Sequence, residues 1–165
     1  MKKVLRKGWL LPILLICLIA TGCSTGGSTS KRKNSNLATT VFEMKQDGVE
    51  MEIIYTHNGD KVVKQETYST IEYEPLNISS KEEAEEMFSF VKDEYDVKGI
   101  TYKADYQEDK MVEKVVVDYE VADLKEVMTL MGTITDGSEE DRVVKYISMK
   151  QSKEMLLEQG YTEKK

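Results

Sequence analysis

Ile100-Thr101-Tyr102-Lys103-Ala104-Asp105-Tyr106 and, after a short polar break, Met111-Val112-Glu113-Lys114-Val115-Val116-Val117 read as two facing strands. Side chains of an extended chain alternate with a period of two, so Ile100, Tyr102, Ala104 and Tyr106 fall on one side. A turn centred on Glu108-Asp109 places Tyr106 opposite Met111, Ala104 opposite Glu113, Tyr102 opposite Val115 and Ile100 opposite Val117. Both strands then offer one apolar face in register, which a slip of one residue would turn to water. Glu113 is the one carboxylate on that face. A residue of this kind ordinarily lies at the rim near the turn and reaches water. The alternative is a buried acid of raised pKa with a chemical role, which makes Glu113 the candidate side chain of the folded region.

The same alternation runs through the region before it. Asp47-Gly48 separates 39–46 from 49–57, and Asn58-Gly59 separates the latter from 61–73. Both dipeptides supply the positive φ angles of tight hairpin turns. Val49, Met51, Ile53 and Tyr55 alternate with polar neighbours, and Pro75 ends the third segment. Ser80 and Glu83 then form a capping box for one helix carrying Ala84, Met87, Phe88, Val91 and Tyr95, with Gly99 near its stop. The carboxylates Glu82, Glu83, Glu85 and Glu86 resemble a metal cluster only superficially. Negative charge favours a helix N-terminus, and a solvated face explains them.

Asp123 caps a further helix over Leu124, Val127, Met128 and Met131, stopped by Gly132. Residues 135–142 form a loop and 143–147 a short strand. Ser148 and Gln151 start a last helix with Met155, Leu156 and Leu157, ended by Gly160. Hairpins without βαβ alternation predict an α+β fold: two layers, a mainly antiparallel sheet with helices packed on one face.

Working outward to the N-terminus, Lys2, Lys3, Arg6 and Lys7 precede an apolar run at 9–20 and then Ala20-Thr21-Gly22-Cys23. This layout resembles the lipobox of bacterial lipoproteins, in which the cysteine thiol receives diacylglycerol and the chain is cut just before it. Ala20 stands where such boxes favour Leu. The apolar run contains Pro12 and is shorter than the ~20 residues of a spanning helix. An ordinary cleaved signal is the other reading, but it would leave an unpaired cysteine on an exported protein. The expectation is therefore a signal peptide at 1–22, lipid attachment at Cys23, and a location at the extracytoplasmic face of the cell membrane. Residues 24–38 are rich in Ser, Thr, Gly, Asn and Lys, the composition of a flexible tether reaching about 20 Å. The remaining 39–163 is long enough for one domain with its own core. Cys17 lies in the signal, so no disulfide partner is available after cleavage.

Four of the 23 basic residues and none of the 30 acidic ones precede Cys23, so the chain from Cys23 onward carries a net charge of about −11. The missing basic footprint argues against nucleic acid as a partner. His57 is the one histidine, at a hairpin end, and Cys23 is the one cysteine of the mature chain. These counts leave no Cys/His zinc site and no Cys-His pair, and no phosphate loop or nucleophile elbow is present. The acidic loop Asp136-Gly137-Ser138-Glu139-Glu140-Asp141 lacks the ligand spacing of a calcium loop. No metal, cofactor or catalytic residue is expected. Nine tyrosines serve equally well as a sugar or peptide platform and as core-packing strand residues, the latter being the default.

The run Tyr55-Thr56-His57-Asn58-Gly59-Asp60-Lys61-Val62-Val63-Lys64-Gln65 is similar to the YehR-like lipoproteins. So are Lys98-Gly99-Ile100-Thr101-Tyr102, the stretch from Glu113 to Tyr119, and Leu156-Leu157-Glu158-Gln159-Gly160-Tyr161. The resemblance implies a small two-layer α/β domain on a lipid anchor and brings no catalytic residues. Anchor, tether and absent catalytic groups together indicate a non-catalytic module that binds an envelope protein, peptide or polymer through an exposed part of its sheet. The other classes are a scaffolding lipoprotein acting through another membrane complex, and an enzyme built on carboxylates.

Overall fold

The computed structural model describes residues 37–130 and 145–165. Strands β1 (Ala38–Gln46), β2 (Val49–Asn58) and β3 (Lys61–Glu72) form a continuous meander. Between β1 and β2 the turn is Asp47-Gly48, both at positive φ (45° and 80°), as the sequence indicates. The next turn is displaced by one residue: Asn58 still pairs with Lys61, and Gly59-Asp60 make the bend. A register shift at Thr56/His57 accompanies it and leaves both Val62 and Val63 buried.

Strands β4 (Ile100–Tyr106) and β5 (Lys110–Asp118) pair in the expected register, with Tyr106 facing Met111, Ala104 facing Glu113, Tyr102 facing Val115 and Ile100 facing Val117. The hairpin docks through β5 onto β3, giving the order β4-β5-β3-β2-β1-β7, every pairing antiparallel. Two strands escaped the sequence reading in whole or part. Strand β7 (Thr162–Lys164) adds to β1 after Gly160 and is too short and charged to show a pattern. Strand β6 (Ile147–Ser148) is only two residues long and pairs with Lys61 and Val62 of β3. The rest of the strand expected at 143–147 includes 143 and 144, which lie outside the described residues.

Among the described residues the α-helices are α1 (Lys81–Phe88), α2 (Val91–Glu94), α3 (Leu124–Leu130) and α4 (Met149–Glu158). The single helix expected after Ser80 is broken between α1 and α2. Ser89 turns its hydroxyl back to the Glu86 carbonyl (3.0 Å), a local bond that competes with helix continuation. The break lets Tyr95 stack on Tyr102, with ring centroids 5.2 Å apart and planes 7° from parallel. Ser80 accepts from the Glu83 N–H as expected, while the Glu83 carboxylate reaches the N–H of Ser79, one residue further back. Asp123 and Ser148 cap α3 and α4 in the anticipated way.

All four of these described helices contribute to one core. Ala84 and Phe88 of α1, Val91 of α2, Val127 and Met128 of α3 and Leu156 of α4 pack with the inward sheet residues Phe42, Ile53, Tyr55, Met111, Val115 and Val117. Each large apolar side chain buried here is worth roughly 1.5–3 kcal/mol relative to exposure. The expected α+β architecture of two layers with helices on one face is the one observed. Gly99 joins the layers: its φ is +85°, and a Cβ there would come within 2.7 Å of the Ala122 backbone, so only glycine fits.

Candidate functional site

The alternation that builds the core also fixes what the opposite face carries. Registers across β1, β2, β3, β5 and β4 align Glu43, Glu52, Tyr68, Lys114 and Lys103 in one row on the side away from the helices. The row runs from acidic at β1 and β2 to basic at β5 and β4, with Tyr68 in the middle. Ile54, Val112 and Val116 lie on the same face in the flanking rows and are half-buried. No described helix covers this surface.

Hydrogen bonds and ion pairs order the row. Lys114 Nζ donates to the Tyr68 hydroxyl at 2.7 Å and lies 4.7 Å from the centroid of its ring. The same ammonium is 3.2 Å from Glu66, whose other oxygen accepts from Lys64 at 2.8 Å. The hydrogen bond from Lys64, followed by that from Lys114, holds the Glu66 carboxyl below the usual carboxylate range. Lys164 of β7 bridges Glu52 (2.9 Å) and Glu43 (3.0 Å), and Lys45 pairs with Glu50. A shallow groove of about 580 Å³ follows this side, with Glu43, Glu52, Tyr68, Thr70 and Lys164 among its lining residues. The arrangement offers an aromatic ring, apolar patches and charges of both signs along an open sheet face, which suits an extended ligand better than a small enclosed one.

On the helix side the sheet holds a second polar group. Gln65, Thr67 and Ser69 of β3 are buried, and Gln65 accepts from the Tyr119 hydroxyl at 2.7 Å while donating to Thr67 at 3.2 Å. Ser69 faces Glu113, and Glu113 is 1% exposed. The expected rim position is therefore wrong. It treated the β4–β5 hairpin as a margin, whereas β3 flanks β5 on its other side and places Glu113 within the sheet interior. Burial raises its pKa from 4.5 to about 7, outweighing the Ser69 and Tyr102 hydroxyls that favour the ionised form. Glu113 Oε1 and the Tyr102 hydroxyl both lack a partner at normal hydrogen-bond distance. Burial, followed by the nearby Glu113 carboxyl, pushes the Tyr102 hydroxyl upward as well.

His57 is held near the end of β2 by hydrogen bonds at both ring nitrogens. Its Nδ1 is 2.8 Å from the Gly59 carbonyl, which can only accept, so Nδ1 carries the proton in the neutral ring and Nε2 accepts from Thr40 at 3.0 Å. Of the tyrosines, Tyr55, Tyr73, Tyr95, Tyr119 and Tyr161 are core residues, as the default reading has it. Tyr68 is the one that the strand pattern places at the centre of the open face, and the alternation of 61–73 carried that signal. Cys23, the tether up to residue 36, Met131, Gly132 and the acidic loop 136–141 lie outside the described residues. Among the described residues no helix is long and apolar enough to cross a membrane.

Comparison with known proteins adds the family context. Residues 38–162 match the family described as "Protein of unknown function (DUF1307)". An uncharacterised lipoprotein of Listeria innocua is 32% identical over 162 residues, covering 98% of this chain and 97% of the relative. The uncharacterised lipoprotein YehR of Escherichia coli is 28% identical over 125 residues, covering 75% and 80%. The NMR structure of that YehR protein superposes with a TM-score of 0.64 at 24% identity, over 79% of this chain and 93% of the other, and supports the fold.

Proposed function

Because the chain belongs to the DUF1307 family and its relatives are lipoproteins, we propose that it is a lipid-anchored, non-catalytic module. Cys23 attaches it to the extracytoplasmic face of the cell membrane. The open side of the sheet, centred on Tyr68, binds an extended envelope peptide, protein or polymer. One observation carries this reading: the described helices all pack on one side, and the other bears an ordered row of charges around an aromatic ring. Glu113 takes no part in this reading, its carboxyl lying on the helix side of the sheet at 1% exposure.

A photoreactive residue tests the face directly. Placed at Tyr68 in the full chain and irradiated in intact cells, it is expected to give a discrete adduct. Placed at exposed Lys92 on the helix side, it should not. Equal adducts at both positions, or none at Tyr68, would remove the sheet face from the proposal.

A further inference from the structure

We propose that β4 is a self-association edge, through which two copies of this chain join their sheets by pairing β4 with β4 antiparallel about Ala104. In an antiparallel ladder, facing pairs that exchange hydrogen bonds alternate with pairs that do not. Asp118 N–H donates to Gly99 O at 2.8 Å, and Gln107 N–H to Lys110 O at 2.9 Å. Counting from both ends, Thr101, Lys103 and Asp105 aim their backbone groups at β5. Tyr102, Ala104 and Tyr106 therefore point theirs outward. The Ile100 N–H is taken by Val97 O at 3.0 Å, but among the described residues nothing pairs with those three.

Natural sheet edges are usually blunted by proline, a bulge, an inward charge or an outward lysine. Strand β4 runs seven residues with no proline and no register shift, and its one such device is Lys103. In the register centred on Ala104, that lysine is matched. Ala104 faces Ala104 of the second copy and Tyr102 faces its Tyr106, all with outward backbone groups. Between them Lys103 faces Asp105 of the second copy, and symmetry repeats the ion pair. Sliding the strands by two residues would instead set Lys103 or, in the other direction, Asp105 against its own counterpart. The edge thus encodes one self-complementary, isologous register. Tyr102 and Tyr106 are half-buried on the other side of β4, where cross-strand aromatic pairing would cover what remains open of their rings.

Cysteine pairing reads this register. Lys103→Cys and Asp105→Cys are made in separately tagged full-length chains and expressed together in cells, then treated with a mild oxidant. In the proposed dimer these positions form a non-hydrogen-bonded pair about 4.5 Å apart at Cα, within reach of a disulfide. A disulfide-linked dimer carrying both tags is expected. Either variant alone should give roughly tenfold less, since its diagonal partner lies about 7–8 Å away. The single-variant cells also control for any disulfide through Cys23. As a second measurement, Lys103→Asp or Asp105→Lys should each weaken the association of the full chain in detergent, and the double exchange should restore it. No mixed dimer, equal linkage in the single-variant cells, or a double exchange no better than either single would overturn the proposal.

Discussion

Val117→Asp is expected to destabilise the folded domain by about 4 kcal/mol, the cost of an uncompensated charge inside a core. Val117 is 1% exposed and faces Ile100 on one side and Gln65 on the other. Neither neighbour carries a positive charge, so the carboxylate would either ionise without a partner or remain protonated at neutral pH. For a domain of this size the midpoint of a circular-dichroism melt should fall on the order of 15 °C. An adjacent substitution on the open face, Val116→Asp, controls for strand propensity and should move the midpoint far less, because Val116 is only half-buried. A melt of Val117→Asp indistinguishable from the parent would mean that the buried face of β5 has been assigned to the wrong side.

The second large effect concerns pH. The Glu113 carboxyl titrates at 4.5 when unfolded and at about 7 when buried. Below pH 4.5 it is protonated in both states, and folding incurs no charge burial. As pH rises from 4.5 to about 7 the unfolded chain releases its proton first, so stability is lost across that window and levels off above it. The gap is worth roughly 3 kcal/mol. Glu113→Gln keeps the shape without the titration. Urea unfolding of parent and variant at pH 5 and pH 8 cancels the contributions of all other groups. Part of that gap is already open at pH 5, so the variant should gain on the parent by roughly 2–3 kcal/mol between the two pH values. Parallel pH dependences would show that folding does not raise the Glu113 pKa.

Local patterns carried much of this fold in the sequence. The alternation of Ile100, Tyr102, Ala104 and Tyr106 against Met111, Glu113, Val115 and Val117, together with the turn at Glu108-Asp109, was enough for strand pairing, register and buried face. A one-residue slip turns the apolar set to water, and the turn fixes which of the remaining registers forms. Helix starts at Ser80, Asp123 and Ser148 were legible because capping is a short-range bond between side chain and backbone. Strand order was not legible. Nothing local says that β5 docks on β3, and the error about Glu113 followed from that gap.

The break at Ser89 was hidden for a related reason. Phe88, Val91 and Tyr95 keep helical spacing, and the stacking of Tyr95 on Tyr102 that accompanies the break is a tertiary contact. Tyr68 shows the same limit at the candidate site. Its outward direction follows from the alternation of β3, but its place between Glu52 and Lys114 depends on two long-range pairings.

Anchoring through Cys23 is the claim on which the proposed role depends, and the mass of the N-terminal peptide tests it most directly. Protein purified from the membrane fraction should begin at Cys23 and carry a diacylglyceryl group, two chains that hold where one would be marginal. Cys23→Ala should be shed from that fraction or accumulate as the uncut precursor. A mature N-terminus elsewhere, an unmodified Cys23, or a Cys23→Ala variant that fractionates and migrates like the parent would contradict the account.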